Sequence, residues 1–385
     1  MPQLTLKPGR SKPVLRRHAW IYQGAVAQNS HPQTVGITDV LDDKGNILGY
    51  GFTDPDSQLV CRVFHFGQLE NPKFGPDYWR QRFLRAFAYR KSFLDFSQTD
   101  TFRLIHAEGD ELPGLIVDIY GGKTAVLQTT IDATGQWHQT WKQILNEMGF
   151  PFVFHKHARW KTGKWLNEKP ANGVATLENG LQFEVDVESG QKTGFFIDQR
   201  DNRQIIKSLS AGKKVLNAFS FSGGFSVYAI SGGAEEVVSV DISRDACEQA
   251  EKNVALNFPG FKGHKALAMD CFDYLRTMPD DFDMVVLDPP AFAKTQTAVD
   301  NAARGYKEIN LHAFKKIKAG GLLATFSCSQ HIDADLFRKI IFAAAADAGR
   351  SARIVRFFTQ SADHPINLFQ PESEYLKGLL IMVDT

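Results

Sequence analysis

No uninterrupted apolar run in this 385-residue chain approaches the roughly 18 residues that a membrane-spanning helix needs. Cysteine is scarce. Cys61, Cys247, Cys271 and Cys328 lie far apart and form no C-x-x-C pair, which argues against a disulfide framework and against a zinc site. No metal is expected. Reduced thiols in a cytoplasmic compartment are the simplest reading, and one of them is then free to act as a nucleophile. Neither sign of charge dominates, for the net charge is +1, so nothing global draws the chain to nucleic acid. The G-x-G-x-x-G fingerprint is missing, which argues against a nicotinamide oxidoreductase. Residues 1–17 are polar and basic and lack the apolar core of a secretory signal.

What is present suits a packed protein of two or three domains, with 43% hydrophobic and 23% charged residues. The segment to about Phe66 reads as short strands broken by turns, over Ile37–Leu41, Ile47–Gly51 and Leu59–Phe66, and predicts a small β-barrel. A linker follows over Gly67–Pro76. Then come a helix from Tyr78 to about Phe93, strands near Thr101–His106, Gly114–Tyr120 and Thr124–Thr130, and a helix over Gly135–Met148. Further strands are expected at Phe152–Lys156 and Leu181–Val187. The predicted parts are a barrel over 1–70, a middle α+β domain over 75–184 and an α/β domain over 185–385.

Basic residues cluster three times: Lys7, Arg10, Lys12, Arg16 and Arg17; Lys73, Arg80, Arg82, Arg85, Arg90 and Lys91; and His155, Lys156, His157, Arg159, Lys161 and Lys164. Such clusters can neutralise phosphates, although a charge run is more often plain solvated surface. The first cluster adjoins aromatics in Arg16-Arg17-His18-Ala19-Trp20-Ile21-Tyr22, a pattern compatible with phosphate contact plus base stacking. The competing reading makes Trp20 and Tyr22 core residues of the barrel.

From about Val185 the chain alternates apolar runs (Val215–Phe219, Glu236–Asp241, Met284–Asp288, Leu322–Ser327) with helical stretches at Asp245–Asn257 and Ala303–Ala319. That alternation predicts a doubly wound α/β domain, which binds ligands at the carboxyl ends of its strands. The first run leads into the turn Phe219-Ser220-Phe221-Ser222-Gly223-Gly224. Successive runs end in Asp241, Asp270 and Asp288. One acid at a strand end is as readily a helix cap, but three in order, placed to reach ribose, an adenine amino group and a reacting base, are a stronger signal. The arrangement resembles the class I S-adenosylmethionine methyltransferases, of Rossmann-like fold. The resemblance implies that Asn217, Phe219 and Gly223 line the methionine end, that Asp241 holds the ribose and that Asp270 holds the adenine. Asn217 stands where that superfamily commonly has an acid.

Cys328, in Phe326-Ser327-Cys328-Ser329, ends a further run beside Asp288-Pro289-Pro290, in a polar setting that suits a thiolate. The other three cysteines read as small buried residues. A thiolate added to carbon 6 of a pyrimidine makes carbon 5 nucleophilic, and Asp288 is placed to hydrogen-bond N3 of cytosine. Amino-group methyltransferases share the Asp-Pro-Pro motif but follow it directly with an aromatic ring; here Ala291 intervenes before Phe292.

Longer stretches narrow the resemblance. Ser189-Gly190-Gln191-Lys192-Thr193-Gly194-Phe195-Phe196-Ile197-Asp198-Gln199-Arg200-Asp201-Asn202-Arg203, Arg304-Gly305-Tyr306-Lys307-Glu308-Ile309-Asn310, Asp110-Glu111-Leu112-Pro113-Gly114-Leu115, Asp363-His364-Pro365 and Tyr375-Leu376-Lys377-Gly378 resemble the RlmI-type large-subunit ribosomal RNA cytosine-C5 methyltransferases. Essentially the whole chain is covered. The resemblance implies an N-terminal PUA β-barrel, a middle α+β domain and a C-terminal Rossmann-like catalytic domain. It also implies S-adenosyl-L-methionine as methyl donor, 23S ribosomal RNA as partner and Cys328 as nucleophile. By the same carry-over Phe195, Asp198 and Arg200 border the cofactor pocket, with a structural ion pair the alternative for the last two. Gln330-His331 departs from the family pattern. A homodimer is compatible with the residue pattern but not derivable from it. An amino-group RNA methyltransferase and a non-catalytic RNA-binding assembly protein remain rival readings.

Overall fold

Short alternating segments and turn residues give the first 66 residues six strands: β1 (Gln3–Leu6), β2 (Trp20–Tyr22), β3 (Val26–Asn29), β4 (Gly36–Leu41), β5 (Ile47–Thr53) and β6 (Leu59–Phe66). A one-turn helix, α1 (Lys12–Leu15), follows β1. In this computed structural model every residue is described except 160, 161, 191, 192, 294 and 385, so Lys161, Gln191 and Lys192 lie outside the described residues. The chain forms two compact units. One comprises Met1–Gly180, Val185–Ile197 and Ala362–Ser373; the other comprises Leu181–Glu184, Asp198–Ser361 and Glu374–Thr385.

In the first unit the six strands order as β2-β6-β5-β4-β1-β3, antiparallel except where β1 meets β4. Leu4, Leu6, Ile21, Val40, Cys61 and Val63 make one core. Tyr50, Phe52 and Phe64 instead join a second core with Trp79 and Phe83 of α2 (Pro76–Lys91), where the Phe52 and Trp79 rings stack at 5.7 Å. Helix α2 starts two residues before the expected Tyr78, because proline has no N–H to lose in a first turn. The expected helix over 135–148 is two, α3 (Asp132–Gly135) and α4 (His138–Glu147), broken after Gly135, a poor helix former.

A second sheet, β11-β10-β9-β8-β7, uses β7 (Phe102–His106), β8 (Leu115–Tyr120), β9 (Thr124–Thr129), β10 (Phe152–His157) and β11 (Lys164–Trp165), and β12 (Ala175–Glu178) lies beyond. Buried ion pairs fasten the 362–373 segment. Arg90 pairs with Asp110 at 2.5 Å and donates to the Asp363 carbonyl, while Arg103 pairs with Asp118 at 2.8 Å and its amide donates to the Asp363 carboxylate. Deleting one partner of such a pair costs about 3–5 kcal/mol, since the other charge stays buried.

The second unit begins with β13 (Leu181–Glu184), three residues shorter than expected, and α5 (Arg200–Ser208). Its sheet is built from β14 (Lys214–Ala218), β15 (Glu236–Asp241), β16 (His264–Ala268), β17 (Met284–Leu287), β18 (Gly321–Ser327), β19 (Ala352–Thr359) and β20 (Lys377–Val383), in the order β16-β15-β14-β17-β18-β20-β19. The first five run parallel and β20 is antiparallel to both neighbours. Helices α6 (Gly224–Ser231), α7 (Arg244–Asn257), α8 (Cys271–Thr277), α9 (Val299–Lys316) and α10 (Ala334–Ala348) supply the crossovers. Strands β14, β17 and β18 are buried on both faces, which is why they read as continuous apolar runs. The chain order reverses between β14 and β17, opening a crevice at their carboxyl ends. No helix among the described residues is long and apolar enough to cross a membrane.

Candidate active site

The turn after β14 is conformationally strained. Phe219 (φ 61°) and Phe221 (φ 45°) both occupy the left-handed region, followed by Gly223 at φ 78°. Each non-glycine residue there costs on the order of 1–3 kcal/mol, a strain that clusters at ligand sites. At Gly223 a side chain is excluded twice, by φ and by the Ala250 Cβ, which a new Cβ would meet at 2.8 Å. Polar atoms in the turn and the strand before it lack partners: Asn217 Oδ1, Ser220 Oγ and Ser222 Oγ are buried and make no hydrogen bond among the described residues. Buried polar groups are normally satisfied, so this cradle suits a ligand that carries its own donors and acceptors. The Asn217 amide donates to Ser226 Oγ, which bonds Ser239 Oγ, and that hydroxyl bonds His264 Nε2 at 2.9 Å. Burial pushes the His264 pKa down to about 4.

The expected acids lie along the same edge of the sheet. Asp241 accepts the Phe221 amide at 2.9 Å on one oxygen and the Ser243 amide at 2.9 Å on the other, tying the turn to the start of α7. Asp270 caps α8, its Oδ1 accepting the Phe272 and Asp273 amides at 2.7 and 3.2 Å. Asp288, directly after β17, accepts from Gln199 Nε2 at 3.0 Å, and Asn202 Nδ2 in turn donates to Gln199 Oε1 at 2.6 Å. Asp198 accepts from the Tyr375 hydroxyl at 2.6 Å, and Arg200 opens α5 and is buried. Phe195 belongs to the first unit and is buried there.

Cys328 follows the carboxyl end of β18, which pairs with β17 through Leu287 and Thr325. It alone among the four free cysteines is not buried. Desolvation pushes the thiols of Cys61 and Cys271 up to about 12 and raises that of Cys247. The neighbours of Cys328 are held firmly. Ser329 Oγ accepts the Ala293 amide at 3.1 Å and bonds the Tyr306 hydroxyl at 3.0 Å, and Lys377 Nζ donates to the Ser329 and Ile332 carbonyls at 2.7 and 2.6 Å. Phe292 packs on Tyr306 (4.6 Å between centroids), Phe272 and Phe219, so its ring is committed to the wall of the site. His331 is partly exposed. Gln199, Asn202, Tyr306 and Lys377 were not singled out by the sequence. Their positions inside motifs that were (197–203, 304–310 and 375–378) were the available signal.

The first unit carries the basic clusters, and the arginines of the second are already paired. Arg80 bonds Glu147 and Asp77, Arg82 and Arg85 meet Glu111, and Arg90 is buried against Asp110. His155 is buried, with its pKa pushed down to about 4, while His157 and Arg159 face Asp132. These are structural networks, not free phosphate contacts. Arg10, Lys12 and Arg16 are exposed and have no acidic partner among the described residues. Next to them, Tyr22 is 50% exposed and so not a core residue, while the half-buried Trp20 donates its indole N–H to Glu108 at 2.8 Å. Arg10, Trp20 and Tyr22 line a cavity beside α1.

Two family models match the chain: an S-adenosylmethionine-dependent methyltransferase over residues 138–363 and a PUA-like domain over residues 4–66. Ribosomal RNA large subunit methyltransferase I of Alteromonas mediterranea is 40% identical across 99% of this chain and 98% of its own length. The protein of the same name from Tolumonas auensis is 38% identical across 98% of each. Among solved structures, a SAM-dependent methyltransferase from Streptococcus mutans superposes with a TM-score of 0.85, at 21% identity over 99% of this chain and 100% of that one. A methyltransferase complexed with SAH superposes at 0.86, with 22% identity and the same coverage. At those identities the structural likeness establishes the fold alone.

Proposed function

The chain belongs to the ribosomal RNA large subunit methyltransferase I family, a SAM-dependent enzyme by that membership, and we propose that it forms 5-methylcytosine in 23S ribosomal RNA through a covalent Cys328 adduct. S-adenosylmethionine supplies an electrophilic methyl group when bound. Asn217, Phe219 and Gly223 are assigned to its methionine end, Asp241 to the ribose and Asp270 to the adenine, with Asp198 and Arg200 bordering the pocket. Support for this assignment is the set of unpartnered atoms on Asn217, Ser220 and Ser222, together with the strained turn, a cradle of the right polarity.

In the proposed reaction the Cys328 thiolate adds to carbon 6, and the ring's electron pair moves to carbon 5. Asp288, positioned through Gln199 and Asn202, acts as a carboxylic acid that donates to N3 and draws charge from the ring. After methylation a base takes the carbon-5 proton as the S–C6 bond breaks, returning the thiolate. Such access requires an unstacked base, so the substrate segment is single-stranded or flipped out. The PUA-like domain is assigned to RNA contact through Arg10, Lys12, Arg16 and Tyr22. We also propose the division into 1–70, 75–184 and 185–385, a cytoplasmic location consistent with four free cysteines, and a homodimer. The last is supported by exposed Ile354, Val355 and Phe357 on the edge strand β19.

The observation that carries the reading is that Cys328 alone of the cysteines escapes burial, at the carboxyl edge beside the Asp288 strand. The rival amino-group reaction needs no thiol and is disfavoured by the packing of Phe292. Cys328→Ala should therefore abolish 5-methylcytosine in ribosomal RNA, read by nucleoside mass spectrometry, while S-adenosylhomocysteine binding persists. Methylation that survives this change would sink the proposed mechanism.

A further inference from the structure

We propose that Lys377 is a positioning residue for this reaction: it clamps the segment carrying Cys328 and supplies the positive charge that favours its thiolate. The inference rests on the Cys328 reading above and names how that sulfur is made reactive.

Lys377 is the first residue of β20 and lies directly opposite Ser327, the last residue of β18. Its ammonium group donates to the carbonyls of Ser329 and Ile332 at 2.7 and 2.6 Å. Cys328 is thus bracketed, by ladder pairing on one side and an ammonium–carbonyl bond on the other. An ammonium carries three donors, and two are engaged by carbonyls. Among the described residues, the charged and titratable groups facing it are the thiol of Cys328 and the carboxylates of Asp333 and Glu374. From α9 the buried Tyr306 also faces the thiol; burial raises its pKa, so it stays a neutral phenol there. Lys377 is therefore a cation facing the thiol.

Desolvation lowers the lysine's own pKa and the facing acids oppose that shift. A partly buried ammonium is expensive, and methionine would pack as well in the same volume. Methionine lacks both the charge and the donors for the two carbonyls. A neighbouring cation is the usual means of raising the thiolate fraction of a reactive cysteine. The charge serves addition, by maintaining the thiolate, and serves elimination, by stabilising the sulfur that receives the electron pair when the S–C6 bond breaks. No proton need pass through Lys377.

A purely structural clamp and a charge effect separate by experiment. Iodoacetamide alkylation of Cys328 in the full chain, without RNA, is followed against pH and located by peptide mass spectrometry; the other thiols are buried. Lys377→Met should slow alkylation at neutral pH on the order of ten-fold, the effect of about one unit of thiol pKa. Lys377→Gln, whose amide keeps donors for the carbonyls, should slow it similarly and is the variant to use if Met does not fold. Lys377→Arg keeps the charge and should stay near the parent rate. An alkylation profile unmoved in the Gln or Met variant, or an Arg variant as slow as Gln, would overturn the inference. The two readings fail separately. Methylation that survives Cys328→Ala removes the nucleophile, whereas loss of methylation there with an unmoved alkylation profile removes only Lys377.

Discussion

Three carboxylates share one sheet edge, yet their oxygens are occupied differently. Both oxygens of Asp241 accept backbone amides, from Phe221 and Ser243, whereas the capping bonds of Asp270 use one oxygen. An ionised carboxylate has about four lone-pair sites, so Asp241 can still accept both ribose hydroxyls. Asp241→Asn should lower S-adenosylmethionine affinity about 10–100-fold by calorimetry, the equivalent of about 1.5–3 kcal/mol for lost bonds to a charged acceptor. Unchanged affinity would remove Asp241 from the site. The order of these acids was legible because each terminates an apolar strand. Their supports were not: Gln199 reaches Asp288 across 89 positions, and Lys377 reaches Ser329 across 48. Hydrogen bonds of that span leave no periodic trace in the chain, and neither does the contact that turns an ordinary lysine into a neighbour of a thiol.

Elements became legible in proportion to how completely they are buried. Strands β14, β17 and β18 announced themselves as apolar runs, but β19 did not. It is an edge strand, exposed along most of its length and interrupted by Arg353 and Arg356. Strand β16, the opposite edge, is half-exposed, and its start at His264 was equally silent. That histidine ends the hydrogen-bonded chain Asn217–Ser226–Ser239–His264, which joins β14, α6, β15 and β16. An unfolded histidine takes up a proton near pH 6.5, while His264 in the fold resists until about 4. Between those values the unfolded state binds more protons, so stability rises with pH across the window and is lost on acidification. His264→Gln, which retains an amide for Ser239, should flatten the fall in unfolding free energy between pH 6.5 and 4 by about 2 kcal/mol. Denaturant titrations at those two pH values measure it, and parallel curves for parent and variant would contradict it. His155 titrates the same way in the first unit, so only the difference between the two proteins is diagnostic.

For the whole molecule, the net charge of +1 conceals a division of labour among its cations. Of the basic clusters visible in the sequence, the second is largely consumed by Asp77, Glu111, Asp110 and Glu147, and His157 and Arg159 of the third face Asp132. Spacing along a chain cannot distinguish an arginine that faces solvent from one that faces a carboxylate many residues away. In the first cluster Arg10, Lys12 and Arg16 are exposed without an acidic partner among the described residues, close in sequence to a half-exposed Tyr22. If RNA lies there, each cation displaces condensed counterions, and a single strand loses about 0.7 in the slope of log K against log salt per phosphate contact. Reversing all three to glutamate should therefore weaken binding of a single-stranded ribosomal RNA fragment and shallow that slope by about 2. S-adenosylhomocysteine binding, assigned to the second unit, should be unaffected, so the two losses can be told apart. Fluorescence titrations between 50 and 200 mM salt, roughly the range over which such slopes are resolved, decide the matter. A slope identical to the parent's would move the RNA to another face, because no other property of those side chains sets the number of ions released.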